Sequence, residues 1–274
     1  MIGYLNDGVV YILPFRSIGE VARDGGSLSW NEAKRESTET IDLANLRLLA
    51  PVDDHMEVWG CGVTYMRSRE AREDEGGTSR DIYNRVYDAP RPEIFYKGVG
   101  WRSVGHGSVA TIRSDSLNCV PEPELALLVS PLGTICGFTI CDDITARDLE
   151  AENPLYLPQA KIWLGSCALG PGIVPANEIA DPYTLAVTLT VERGGRKVFY
   201  GSSTTARLNR RLDDLAIAAL HDHPQPQGFL LTTGTPIVPP WEFTLALGDS
   251  VSISIDSVGT LTHSIGVNDT KFAA

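Results

Sequence analysis

The segment CVPEPELALLV, residues Cys119–Val129, joins two glutamates to a continuous apolar run. Glu122 and Glu124 are two residues apart, and a proline precedes each of them. The run that follows is typical of a strand buried on both faces. Charged side chains next to a core are costly unless a partner neutralises them, so the segment raises the question of what the two carboxylates face. From spacing alone, two solvated glutamates on an edge strand are an equal alternative.

Alternate residues of a strand point to the same face, so Glu122 and Glu124 would project together, about 7 Å apart. Two like charges in that position raise a pKa or require a cation, and hard divalent ions such as Mg²⁺ prefer oxygen ligands of this kind. A third carboxylate would complete the site. The apolar strand that ends at Cys141 supplies candidates, because Asp142, Asp143 and Asp148 follow it.

The composition limits the possible partners. The chain has 274 residues and a formal net charge of -12, and its longest basic grouping is the pair Arg210–Arg211, so nucleic acid is not an expected partner. No apolar run reaches the ~20 residues of a membrane span, and no targeting segment is recognised, so we expect a cytoplasmic protein with no membrane partner. The five cysteines lack C-x-x-C spacing, which favours reduced, buried thiols over a zinc site.

Strands predominate along most of the chain. Residues 185–200 alternate apolar and polar side chains around Gly194–Gly195 and predict a hairpin, and residues 249–265 repeat the pattern. Between them, Leu208, Leu212, Leu215 and Ala219 predict an amphipathic helix. Glycine-rich nucleotide-binding motifs are missing from the sequence, so we expect an α+β fold built on a mixed or antiparallel sheet.

The first part of the chain is interpreted as a separate small unit. A strand is predicted over Val9–Phe15, and Ser29 followed by Glu32 predicts the start of a helix. The predicted organisation is a small N-terminal α/β domain, residues 1–56, followed by a catalytic domain, residues 57–274.

Four short motifs in order resemble the fumarylacetoacetate hydrolase superfamily. They are P-E-P-E-L-A, D-x-T-A-R-D, a downstream lysine and G-T-P, and the resemblance covers roughly residues 57–265. Agreement of independent features makes the solvated-glutamate alternative much weaker. The resemblance implies a mixed β-sheet roll of the fumarylacetoacetate hydrolase type. It also implies that Glu122, Glu124 and Asp143 bind one Mg²⁺ or Mn²⁺.

The resemblance is incomplete where the superfamily's carbon–carbon hydrolases carry their catalytic histidine. The stretch GCGVTYMRSREARE keeps the tyrosine as Tyr65, but Ser68 stands in the histidine position and Ala71 in that of its glutamate partner. Serine alone cannot take a proton from water near neutrality, which argues against hydrolysis. An acylpyruvate-type hydrolase is therefore kept only as the alternative function. The charged segment 64–81 is interpreted as a mobile lid, with an exposed helix as its alternative.

The block from Asp142 to Ile162 is similar to the branch of this superfamily that dehydrates 2-keto-3-deoxy sugar acids. This resemblance implies that Glu93 and Lys161 are the catalytic pair. A lysine beside a cation loses its proton more readily, so Lys161 could be the base and Glu93 the acid, although the assignment between them stays open. The expected reaction is a metal-dependent conversion of 2-keto-3-deoxy-D-arabinonate to 2,5-dioxopentanoate and water.

Four further residues are predicted to bind the substrate: Tyr65, Lys97, His106 and Thr235. For Lys97, pairing with a neighbouring acid is the alternative. For His106, a loop histidine with a backbone hydrogen bond is equally compatible with the sequence. Relatives in the superfamily assemble as homodimers or homotetramers, and the same is expected here.

Overall fold

The computed structural model describes residues 1–24, 35, 37, 39–65 and 85–268 of the chain. Its largest sheet has seven strands, numbered in chain order, which lie side by side as β5 (Glu93–Val99), β4 (Glu57–Gly62), β15 (Phe229–Thr232), β9 (Pro123–Val129), β10 (Ile135–Asp143), β12 (Cys167–Pro175) and β6 (Ser103–Val104). A five-stranded sheet has the order β14 (Arg196–Thr204), β13 (Ala186–Arg193), β16 (Ser250–Ile255), β17 (Gly259–Gly266) and β7 (Val109–Thr111). Two small sheets contain β1 (Gly3–Asn6), β2 (Val9–Ile12) and β3 (Thr40–Asp42), and β8 (Cys119–Val120) with β11 (Thr145–Ala146).

The pairing is mixed. The β15–β4, β12–β6 and β17–β7 pairs are parallel, whereas β9 and β10 pair antiparallel with each other. The expected α+β fold with a mixed sheet is therefore confirmed.

Strand β9 lies in the middle of the large sheet and is buried at every position. Leu125, Leu127 and Val129 belong to the main core, which fills the space between the two large sheets. Ala126 and Leu128 belong to a second cluster on the opposite side. Because both faces are covered, the strand reads as an uninterrupted apolar run. The cysteines are all free and buried, as the sequence predicts.

Both predicted hairpins are present. Strands β13 and β14 are joined by Gly194 and Gly195, whose φ values of 56° and 74° are those required by a tight two-residue turn. Strands β16 and β17 form the second hairpin, and Val251, Ile253 and Ile255 face the core.

Four α-helices have both ends within the described residues, and all are short: α1 (Ile18–Arg23), α2 (Arg147–Glu152), α3 (Leu157–Lys161) and α4 (Leu212–Leu220). Helix α4 buries Leu212, Leu215 and Ala219 as predicted. The inclusion of Leu208 in that helix is wrong, because Leu208 precedes it and forms an isolated bridge with Tyr65. Among the described residues, no helix has the length and apolar character that crossing a bilayer requires.

The N-terminal strands form their own sheet, and α1 connects this region to the main body. The Asp53 carboxylate accepts hydrogen bonds from the backbone of Ile18 and Gly19 at 2.8 and 2.7 Å, so it satisfies two free N–H groups of the first helical turn. Ala22 packs in the second core cluster. The helix expected after Ser29 lies outside the described residues, and the domain boundary near residue 56 stays a prediction.

Candidate active site

Three carboxylates converge at one end of β9 and β10. Glu122, Glu124 and Asp143 each offer an oxygen atom, and these oxygens lie within 4.8 Å of one another. All three residues are buried, with exposed fractions of 4%, 2% and 0%. The two glutamates of the E-x-E motif therefore point to the same place, and Asp143 joins them from the neighbouring strand.

The backbone explains how two segments bring these groups together. The antiparallel register pairs Cys141 with Glu124, so the end of β10 lies beside the start of β9. The N–H of Asp143 donates to the carbonyl of Glu122 at 3.0 Å. Pro121 and Pro123 on either side of Glu122 fix their own φ angles and restrict the residue between them. The ligand-bearing segment is thus held in one conformation.

Lys161, the last residue of α3, places its ammonium group among the carboxylates. Its Nζ donates to Glu122 Oε2 at 2.7 Å, to Asp143 Oδ2 at 3.0 Å and to Thr145 Oγ1 at 2.7 Å. The side chain is 4% exposed. A lysine ammonium has three donors, and each has a partner here.

Lys97 of β5 contacts Asp143 from another direction and is fully buried. Its Nζ lies 2.5 Å from Asp143 Oδ1 and donates to the carbonyls of Ile144 and Lys161 at 3.0 and 2.7 Å. These contacts match the alternative in which Lys97 pairs with a neighbouring acid. Its place is behind the aspartate, outside the residues that line the cleft.

The charges divide the carboxylates into two kinds. Burial alone would raise the pKa of Asp143, but Lys161 and Lys97 hold that pKa below its usual value of 3.8. For Glu124, burial and then the charges of Asp143 and Glu122 raise the pKa well above 4.5. Glu124 also accepts a hydrogen bond from the backbone of Gly234 at 2.7 Å. Of these two carboxylates, Glu124 therefore holds a proton more readily, whereas Asp143 stays ionised.

Glu93 reaches the cleft because the strand beside it carries glycines. In the β4–β5 pair, Gly62 lies opposite Glu93 and Gly60 opposite Phe95. A Cβ atom on Gly62 would lie 2.1 Å from Glu93 Oε2, and one on Gly60 would lie 2.4 Å from the Phe95 ring. Glu93 and Phe95 therefore occupy space that a side chain at position 62 or 60 would otherwise fill.

The segment after β15 forms another wall of the site. Gly234 has a φ of 89°, and a Cβ there would meet Thr64 Oγ1, so a side chain is excluded. Thr235 lines the cleft as predicted, and its hydroxyl group donates to the carbonyls of Pro123 and Ile237 at 3.1 and 2.9 Å. The G-T-P motif thus ties this segment to the start of β9.

These groups face one cleft with about 440 Å³ of empty space, part of which is open to solvent. Its lining brings together five acidic groups and one lysine, together with small and apolar residues: Cys61, Gly62, Val63, Glu93, Phe95, Glu122, Glu124, Asp143, Glu150, Leu157, Lys161, Gly234, Thr235 and Val238. The predicted metal ligands and the predicted catalytic pair therefore share one cavity.

Besides Lys97, two other predicted substrate-binding residues lie outside that lining. Tyr65 is buried, and burial followed by the charge of Glu124 raises the pKa of its phenol. His106 accepts a hydrogen bond from the backbone N–H of Thr262 through Nδ1 at 3.2 Å, which matches the alternative of a loop histidine with a backbone partner. Ser68 and Ala71, on which the hydrolase alternative depends, lie outside the described residues, as does most of the proposed lid.

Sequence reasoning did not single out Cys61, Phe95 or Glu150, which also line the cleft. Phe95 could have been found from the strand period, because it lies two residues after Glu93 and so faces the same side. Glu150 belongs to the block after D-x-T-A-R-D, but its inward direction depends on how α2 packs.

The carboxylate cluster fits a hard divalent cation. Its three side chains supply only oxygen donors, which suit Mg²⁺ or Mn²⁺. The cluster already attracts positive charge, since the Lys161 ammonium contacts two of its members. Glu122, Glu124 and Asp143 are the residues that would hold the ion.

The fold and this site define a metal-dependent enzyme of a known class. The family model for the fumarylacetoacetate (FAA) hydrolase C-terminal region matches residues 58–266, and the chain belongs to that family.

Within this family, the chain is similar to named dehydratases. It is 46% identical over 226 residues to the 2-dehydro-3-deoxy-D-arabinonate dehydratase of Saccharolobus solfataricus, covering 81% of this chain and 76% of that protein. It is 37% identical to the probable 2-keto-3-deoxyxylonate dehydratase of Haloferax volcanii, covering 91% and 88% of the two chains. A solved structure of 2-keto-3-deoxy-D-arabinonate dehydratase complexed with magnesium and 2,5-dioxopentanoate has a TM-score of 0.83 and 40% identity, covering 96% of this chain and 93% of that one.

Proposed function

We propose that this protein is a metal-dependent hydro-lyase that converts 2-keto-3-deoxy-D-arabinonate to 2,5-dioxopentanoate and water. The observation that carries the proposal is the single cleft in which Glu122, Glu124 and Asp143 lie together with Lys161 and Glu93. The names of the similar proteins support the substrate, and the magnesium in the related structure supports the cofactor.

The three carboxylates would hold Mg²⁺ or Mn²⁺ facing the cleft. An ion held there would supply Lewis-acid chemistry next to the C1 carboxylate and C2 keto oxygen of the substrate, which would stabilise negative charge on the keto oxygen. The protein contributes fixed, buried ligands. Lys97 keeps Asp143 ionised and oriented for this task.

Lys161 is proposed as the base that takes a proton from C3. Its Nζ lies among the ligand oxygens, so C3 of a substrate held beside these residues would lie near it. The same oxygens favour the protonated form of the lysine. A dication that shared their negative charge would make protonation of the lysine less favourable. The amine is then able to accept the C3 proton.

Glu93 is proposed as the acid. Loss of the C3 proton allows the C4–O bond to break, and the departing hydroxyl needs a proton to leave as water. Glu93 Oε2 lies in the cleft against Gly62, on a strand separate from the metal ligands. The unsaturated keto acid then shifts its double bond and ketonises at C5 to the aldehyde, which requires a second proton transfer that Glu93 could relay.

Incubation with Mg²⁺ and 2-keto-3-deoxy-D-arabinonate, followed by ¹H NMR, tests the proposal. Appearance of the C5 aldehyde of 2,5-dioxopentanoate is the expected result. Formation of pyruvate and a carboxylic acid from an acylpyruvate, with the sugar acid unchanged, would favour the hydrolase alternative. No product from either substrate would indicate a relative without catalytic activity. A panel of 2-keto-3-deoxy acids would define C4 stereochemistry and chain length.

Two expectations about the whole protein stay predictions: a cytoplasmic location, and assembly as a homodimer or homotetramer. Light scattering coupled to size-exclusion chromatography would measure the second. A mass equal to one chain of 29.7 kDa would contradict it.

A further inference from the structure

A buried histidine–aspartate pair lies between the two large sheets, outside the lining of the cleft. His263 of β17 and Asp142 of β10 are joined by a 2.8 Å contact between Nε2 and Oδ2. Both side chains are fully shielded from solvent. The proposed chemistry uses neither residue.

The position of His263 is unusual for a polar side chain. It shares the buried face of β17 with Leu261 and Ile265, which belong to the main core, so the pattern predicts an apolar residue there. An aspartate and an imidazole buried in such a core are costly unless their polar atoms have good partners. An apolar pair of similar volume would serve stability at least as well. The pair therefore calls for a role other than core stability.

The second oxygen of Asp142 indicates that role. Asp142 Oδ1 accepts a hydrogen bond from the backbone N–H of Glu122 at 2.8 Å. Glu122 stands between Pro121 and Pro123, which have no N–H, so its amide is the sole backbone donor of these three residues. In return, the adjacent Asp143 donates its own N–H to the Glu122 carbonyl at 3.0 Å.

These contacts form a chain from the far sheet to the carboxylate cluster. His263 fixes the Asp142 carboxylate, Asp142 fixes the Glu122 backbone, and Glu122 carries one of the converging oxygens. We infer that His263 and Asp142 are positioning residues that set Glu122 against Asp143 and so determine the affinity for the divalent ion. The inference rests on the proposed metal site, but not on the identity of the substrate.

Two amide substitutions at one position test the inference. Glutamine can place its Nε2 close to the position of the histidine Nε2, whereas asparagine carries the same amide on a side chain one methylene shorter. In His263→Gln the donor to Asp142 is kept, so affinity should stay near that of the unmodified protein. In His263→Asn the donor falls short, and affinity should drop about 10- to 100-fold, the usual effect of losing a partner of a metal ligand.

The readout is metal binding without substrate. Mg²⁺ alone is titrated by calorimetry, and Mn²⁺ alone is titrated with the free ion measured by electron paramagnetic resonance. Turnover of His263→Asn should recover at saturating Mg²⁺, since its defect lies in metal affinity. Arg193→Met is the matched control. It removes the arginine that donates at 2.7 and 2.8 Å to the buried Asp249, which directly precedes β16 of the same sheet, so it should lower Tm and leave metal affinity unchanged.

The outcomes separate two kinds of failure. If the unmodified protein binds Mg²⁺, and both the Gln and the Asn variants bind it as tightly as the unmodified protein does, the positioning role is refuted. The proposed function would still stand. Equal weakening in Arg193→Met and His263→Asn would also refute it, because metal affinity would then follow general stability. If the unmodified protein binds neither ion, the metal site itself fails, and the inference fails with it.

Discussion

Gly62→Ala is the substitution for which the structure gives the clearest quantitative expectation. Gly62 is not among the glycines with positive φ, so alanine can adopt its backbone conformation. In a strand, alanine is about 0.5–1 kcal/mol more favourable than glycine. The free energy of unfolding should therefore stay the same or rise slightly. The effect of the substitution should fall on Glu93, whose carboxylate lies directly over this position.

The size of the displacement follows from the coordinates. The new Cβ would lie 2.1 Å from Glu93 Oε2 and 2.7 Å from its Cδ, whereas ordinary contact begins at 3.4 Å. The carboxylate oxygen must therefore move by at least about 1.3 Å, and its flexible side chain can do so without moving the strand. A misplacement of ~1 Å at a catalytic group can cost about 100-fold in rate. We expect kcat to fall by about that factor while Mg²⁺ affinity is unchanged.

The assay compares kcat, Mg²⁺ affinity and Tm for Gly62→Ala and a matched control. Gly98→Ala on β5 is suitable, because a Cβ there has no atom within 4 Å. In a Glu93→Ala background the second substitution should have no further effect, since the displaced group is gone. Wild-type kcat in Gly62→Ala, with Tm intact, would refute the claim that the position of Glu93 matters. A further loss in the Glu93→Ala background would show that Gly62 acts in another way.

Three more predictions concern the charged groups of the site. Lys161→Met should lose about 10²- to 10⁴-fold in kcat, as expected for removal of a general base, and should still bind Mg²⁺ in calorimetry; normal turnover would exclude its role. Lys97→Met removes one partner of the buried Asp143, so the free energy of unfolding in urea should fall by about 3–5 kcal/mol. The control Lys197→Met changes an exposed lysine and should lower it by about 0.5 kcal/mol or less. The pKa of Glu124 is raised above 4.5, so the folded protein retains a proton that the unfolded chain releases; without added metal, Tm should fall as pH rises above 4.5. Glu124→Gln should flatten that decline of Tm with pH. The lowered pKa of Asp143 affects stability only as pH falls below 3.8, so it does not contribute to this decline. An unchanged decline in Glu124→Gln would contradict its attribution to Glu124.

Local sequence patterns were sufficient to predict both hairpins and the shared direction of Glu122 and Glu124. A strand repeats its side-chain direction every two residues, so the E-x-E spacing alone predicts that Glu122 and Glu124 point the same way. The apolar run of β9 predicts burial on both faces, and the glycine pair after Arg193 predicts a hairpin. These features depend on residues close together in the chain, whose geometry the backbone fixes.

Long-range register decided the rest. Asp143 joins the glutamates because Cys141 pairs with Glu124, and nothing near Lys97 in the sequence shows that its ammonium meets Asp143 instead of the cleft. From the sequence, His263 is only a polar residue in a strand of alternating polarity. Packing of the two sheets brings its Nε2 into contact with the Asp142 carboxylate. The sequence by itself determined which groups are available and which face of a strand they share. The tertiary structure decided which groups meet, because contacts between distant segments depend on strand order and sheet packing, which no local period encodes.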